Sequence, residues 1–159
     1  MPMSSQSCFV LMEREFNAFL VVLRKFRATA LAKAVFLVDK DGVLIASTGE
    51  TAGFDVTALA SLAAGNIAAT GRLANLIGEK EFSILFHEGE RDNMHIAVVG
   101  DRLILVVIFD RRSSIDLVRL RVRRISEELS KILVSAEQKK REEVLVEELT
   151  EEDIESLFC

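Results

Sequence analysis

Seven consecutive residues, Leu103–Phe109 (LILVVIF), are apolar without a break. Successive side chains of a strand point to opposite faces, so a run this uniform needs apolar cover on both sides. It is also far too short to cross a bilayer. The expectation is a central strand of a sheet with helices on each face, and the rest of the chain must supply them.

Helical spacing occurs in three places. Phe9, Met12, Phe16, Phe19, Leu20, Leu23 and Phe26 mark a first helix over 9–31. Asp55 can cap a second, over 56–77, by accepting from first-turn amides, and Gly78 can stop it in the left-handed conformation. Ser114 can cap a third, with Ile115, Val118, Val122, Ile125, Leu129 and Ile132 stepping by three and four. Strands fit 34–39, 43–47, 81–87, 94–99 and 102–110, with turns at Lys40-Asp41-Gly42 and Gly100-Asp101. The expected fold is α/β (α+β): an α-β-β-α-β-β-β-α sandwich around a five-stranded, mainly antiparallel sheet.

Charge divides the 159 residues in two. From Glu137 onward there are nine acids and three bases, whereas residues 1–136 hold sixteen acids and seventeen bases. The expected division is a domain over 1–136 and an acidic tail over 137–159, a common arrangement for a segment that meets partners. In the tail, Thr150 reads as the cap of a small independent helix with Asp153 at its third position. Ile154, Leu157 and Phe158 then share a face. Nothing resembles the basic footprint of a nucleic-acid domain. Glu13, Arg14 and Glu15 interrupt the apolar N-terminal stretch, which argues against a secretory signal. Cys8 and Cys159, near opposite ends, fit a reduced cytoplasmic protein.

Three blocks, AVFLVDKDGVLIAS (34–47), LASLAAGNIAATGRLANLIGEKEF (59–82) and RLILVVIFDRRSSIDLVRLRVRR (102–124), resemble the Roadblock family in order and spacing. The likeness extends to the LTEEDIESLF tail, and lies with the branch that partners a bacterial Ras-like GTPase of the MglA type in cell polarity and gliding motility. The resemblance implies a Roadblock/longin-like fold. It also implies a homodimer with sheets joined edge to edge and second helices side by side. Such a dimer would bind one GTPase and accelerate GTP hydrolysis by reorganising the GTPase's own residues, supplying no catalytic residue itself. A scaffold that only localises a GTPase or signalling protein is the alternative function. A small-ligand sensor, as in profilin-like folds, is a third, disfavoured by the lack of inward polar residues in AVFLVD and LILVVIF.

Candidate partner-binding residues follow from the second helix, where Ala60, Ala63, Ala64, Gly65, Ala68, Ala69 and Gly71 leave an almost bare surface, which serves either close packing on the sheet or, the favoured reading, the approach of another backbone. Leu59, Leu62, Leu73 and Ile77 are expected to serve the core, leaving Ala64, Gly65, Ala68, Ala69 and Arg72 for an interface. In the tail the candidates are Asp153, Ile154, Leu157 and Phe158, with a GTPase or a receiver domain as partner. Gly65 and Gly71 do not form a phosphate loop, because their spacing is wrong and Arg72 stands where Lys is required. The arginines at 111, 112, 119, 121, 123 and 124 read as a solvated helix face, where Glu127 can pair with Arg123 or Arg124. His87 and His95 are expected to end and edge strands, without ligand-spaced neighbours. No nucleophile–base–acid set is visible, so no enzymatic activity and no cofactor or metal is expected.

Overall fold

The computed structural model describes residues 13–158, and side chains for 14–142, 144 and 145. Its elements are α1 (Glu13–Ala30), β1 (Ala34–Asp39), β2 (Leu44–Gly49), α2 (Val56–Leu76), β3 (Ile84–His87), β4 (Asn93–Val99), β5 (Leu103–Phe109) and α3 (Ile115–Phe158). The expected order of elements holds. Phe9 and Met12, assigned to the first helix, and both cysteines lie outside the described residues.

The five strands run β2-β1-β5-β4-β3, and every neighbouring pair is antiparallel. All seven residues of β5 are buried, as an apolar run flanked by β1 and β4 requires. Its two faces feed two cores. Leu103, Leu105, Val107 and Phe109 pack with Phe19, Leu23 and Phe26 of α1 and Val118, Val122 and Leu129 of α3. Ile104, Val106 and Ile108 pack with Ala60, Ala63, Ala64 and Ile67 of α2.

Local chemistry sets the helix ends. Asp55 accepts a hydrogen bond from the Ala58 amide at 3.1 Å, and Ser114 Oγ accepts from the Leu117 amide at 3.2 Å. At the other end of α2, Gly78 has φ +85°, while the Glu79 amide donates to Ala74 O and the Gly78 amide to Asn75 O. This Schellman arrangement stops the helix.

The tail differs from expectation. α3 is one helix of 44 residues, and Thr150 lies inside it instead of capping a separate one. No Gly or Pro follows Gly100, and the residues around Glu137–Arg141 are good helix formers. Adding a residue to an existing helix is far easier than nucleating a new one, so the running helix overrides a local capping signal. At ~1.5 Å per residue α3 is about 66 Å long. Arg102 reaches Glu137 at 3.8 Å and Lys139 pairs with the buried Glu15 at 3.2 Å. Beyond that clasp Val144 and Leu145 are exposed.

Gly49 ends β2 at φ +98°, where a Cβ would stand 2.5 Å from the Lys33 carbonyl oxygen and 3.0 Å from Ala34 Cα. Both obstacles are backbone, and L residues resist that φ. Gly49→Ala should therefore lower the unfolding free energy by about 2 kcal/mol or more, measurable by urea denaturation.

Candidate functional surface

α2 meets the sheet through its small residues. Ala60, Ala63, Ala64, Ile67 and Ala74 are buried, with Ala74 at 0% exposure. Across the contact stand large side chains, Phe36, Val38, Ile96, Ile104 and Ile108, which already fill the layer. The turn after β1 adds to the crowding. A Cβ on Gly42 (φ +91°) would come within 3.3 Å of Ser61 Cα, so backbone meets backbone there. Only short side chains on α2 permit so close an approach.

The outward face is consequently apolar where a bare one was expected. Leu62, Leu73, Leu76 and Ile77 are 73, 58, 81 and 70% exposed. Three of them, Leu62, Leu73 and Ile77, were assigned to the core, and the structure reverses that assignment. Of the candidate contact residues, Gly65, Ala68, Ala69 and Arg72 lie outside the core, whereas Ala64 turns into the sheet-facing core. Positions 62, 65, 69, 72 and 76 alternate steps of three and four, the spacing of a helix–helix seam. Leu62, Ala69 and Leu76 repeat every seventh residue along it. Gly65 has open space where a side chain would project, so another backbone could approach there.

The edge strand lies beside this seam. β3 pairs only with β4 among the described residues, and its Ile84 is 40% exposed. Asn66 of α2 and His87 at the end of β3 meet at 3.2 Å, tying helix and edge together. An unpaired strand edge presents a row of backbone donors and acceptors to a partner strand. Two hollows flank the helix. One, of about 330 Å³, is apolar and includes Phe54, Leu59, Leu62, Met94 and Ile96. The other, of about 390 Å³, includes Ala68, Gly71, Arg72, Lys40 and Lys80, with Lys40 bonded to Glu81 at 3.1 Å.

The remaining candidates separate from this surface. The α3 backbone runs through Asp153, Ile154, Leu157 and Phe158, whose side chains lie outside those described. His87 ends β3 as expected, but His95 edges nothing. It sits inside β4 at 0% exposure, opposite Phe86 and Val107 in the ladders. Neither ring nitrogen has a hydrogen-bond partner among the described residues. Burial, and next the nearby Arg119 charge, pull its pKa down to about 4, so the ring is neutral. Glu127 forms no ion pair with Arg123 or Arg124 among the described residues, contrary to expectation. No described helix is long and apolar enough to cross a membrane.

Known proteins provide the comparison. The Roadblock/LC7 domain profile matches residues 6–109. A search of curated protein sequences finds no match. Among solved structures, MglB of Myxococcus xanthus is 52% identical, with a TM-score of 0.76 over 80% of this chain and 96% of that one. The gliding protein MglB of Thermus thermophilus is 32% identical, with a TM-score of 0.73 over 81% and 96%. An MglB described as having a tetrameric arrangement is 30% identical, with a TM-score of 0.75 over 81% and 95%. With a profile covering most of its folded domain and MglB structures matched over nearly their full length, the chain belongs to the Roadblock/LC7 family as an MglB-like member.

Proposed function

We propose that two copies pair through α2 and the edge of β3, and that this dimer regulates a cytoplasmic Ras-like GTPase of the MglA type by accelerating GTP hydrolysis. The observation that carries the reading is the exposed Leu62–Leu76 seam beside an unpaired strand edge. Contiguous exposed apolar surface of that kind marks an interaction site. Likeness to MglB supports the choice of partner. In this reading the chain supplies no catalytic residue and acts by reorganising the GTPase's own catalytic groups. Polar enrichment in the cell would follow from the GTPase and its other partners.

In this reading Gly65, Ala68, Ala69 and Arg72 contribute to the joint surface, and Asp153, Ile154, Leu157 and Phe158 form a second contact at the end of α3. The mass of the complex with GTP-loaded GTPase, measured by light scattering, should equal two copies of this chain and one GTPase. A complex of one with one would contradict the dimer as the acting unit. Ala68→Arg should fold normally, because Ala68 is exposed, yet abolish the complex by holding the GTPase off and enclosing an unpaired charge. Unchanged binding would remove Ala68 from the contact. Truncation after Lys140 keeps the Glu15–Lys139 clasp. It should leave the melting temperature and the dimer nearly unchanged while altering GTPase affinity or nucleotide exchange several-fold, as read by fluorescent-nucleotide release.

A further inference from the structure

The sheet face opposite α2 carries a second surface. α1 and α3 lie side by side there and leave a groove of about 220 Å³ between them. Val22, Phe26 and Ile125 give it apolar walls, and Lys25, Arg121 and Arg124 ring it with three cations against one acid, Glu128. Arg121 Nε is buried without a hydrogen-bond partner, and none of the three cations forms an ion pair among the described residues. Three cations without ion pairs around an open groove offer charge-assisted hydrogen bonds to an incoming carboxylate.

The same chain contains a helix of matching chemistry. Residues 142–158 hold eight acids and no base, interspersed with Val144, Leu145, Val146, Leu149, Ile154, Leu157 and Phe158. Because α3 is continuous to Phe158, this segment cannot return to the groove formed earlier on its own helix. It projects past the Glu15–Lys139 clasp, about 27 Å at ~1.5 Å per residue. We propose that, without the GTPase, the acidic end of α3 from one copy seats in the basic α1–α3 groove of another. The groove spans Val22 to Thr29 on α1, about 10 Å, so two turns of the incoming helix fill it. Its concave shape and apolar walls suit the ridge of an amphipathic helix better than a flat lipid surface. Occupant and groove are also present in equal number.

The test uses a fluorescent peptide of residues 142–158 titrated with the full-length protein alone, followed by anisotropy. The peptide should bind saturably, and about tenfold more weakly when ionic strength rises from about 0.01 M to about 0.15 M. Arg121→Glu with Arg124→Glu should abolish binding while leaving the circular dichroism unchanged. A peptide carrying Glu151→Lys and Glu152→Lys should fail on the parent and bind this double variant. A scrambled peptide of the same composition should bind neither. Absence of binding to the parent, binding indifferent to the arginine reversals, or equal binding of the scrambled peptide would each overturn the proposal.

Discussion

Leu76→Asp should convert the proposed dimer to monomers without unfolding the chain. Leu76 is 81% exposed, so in the protomer the substitution removes almost no burial. A two-fold joint contains the residue twice. Burying one leucine contributes about 1.5–3 kcal/mol, so the pair contributes roughly 3–6 kcal/mol. At about 1.4 kcal/mol per factor of ten, the dissociation constant rises by a factor on the order of 10² to 10⁴. A carboxylate enclosed in an apolar seam adds to that. Sedimentation at micromolar concentration, with the chain cut after Lys140 so that only the α2 joint can hold copies together, should show a monomer with a native circular dichroism spectrum, and GTPase stimulation by full-length Leu76→Asp should vanish with the joint. Arg72, on the same seam, provides the contrast. An arginine on such a seam can lay its stem on apolar surface and keep its head in water, so Arg72→Ala should weaken the dimer far less.

The parent protein should lose stability between pH 6.5 and 4, and His95→Leu should abolish that pH dependence. The folded pKa, about 4, lies below the ordinary 6.5 because the charged ring is disfavoured in the core. Above pH 6.5 the ring is neutral in both states and pH has no effect. As pH falls through the window, the unfolded chain takes up a proton that the folded one refuses, so folding weakens. Below about 4 both states are protonated and the loss is complete. At about 1.4 kcal/mol per pH unit, the loss is roughly 3 kcal/mol. Glu15 and Asp110 act lower on the scale. Burial raises the Glu15 carboxyl, but its backbone hydrogen bond and Lys139 outweigh that, and Arg112 hydrogen bonds hold Asp110 down. Each therefore lies below its ordinary 4.5 or 3.8, and their stabilisation is lost at more acid pH. Urea midpoints of parent and variant from pH 7 to 4 isolate the histidine. A parallel decline in both would contradict this account. At pH 7 the variant should be no less stable, since an apolar side chain replaces two unpartnered nitrogens.

What could be read from the sequence divides along physical lines. Local signals were legible: the β5 run placed the central strand, and Asp55, Gly78 and Ser114 marked helix ends, because caps and turns depend on neighbouring residues alone. The orientation of α2 was not. Assigning leucines inward follows the usual preference, but the space over this sheet is already taken by Phe36, Ile96 and Ile104, and beneath the helix fit four alanines and Ile67. The leucines are left exposed, and sequence patterning cannot distinguish such an outward apolar face from a core-facing one. The spacing 62, 65, 69, 72, 76 was the available sign, since an apolar seam of that register together with an alanine-rich opposite face implies two packed sides. The Thr150 cap failed for a different reason: it is a nucleation signal placed where a helix already runs. His95 had no sequence mark at all, because its burial depends on β3, β5 and α3 coming together around it.

The central claim, that this surface accelerates GTP hydrolysis on an MglA-type GTPase, is tested most directly by single-turnover hydrolysis of the GTP-loaded GTPase with and without this protein. The rate should rise with protein concentration, saturate at two copies per GTPase, and return to the intrinsic rate with Leu76→Asp. An unchanged rate at saturating protein, with the complex demonstrably formed, would contradict it and leave a scaffold that binds the GTPase without activating it.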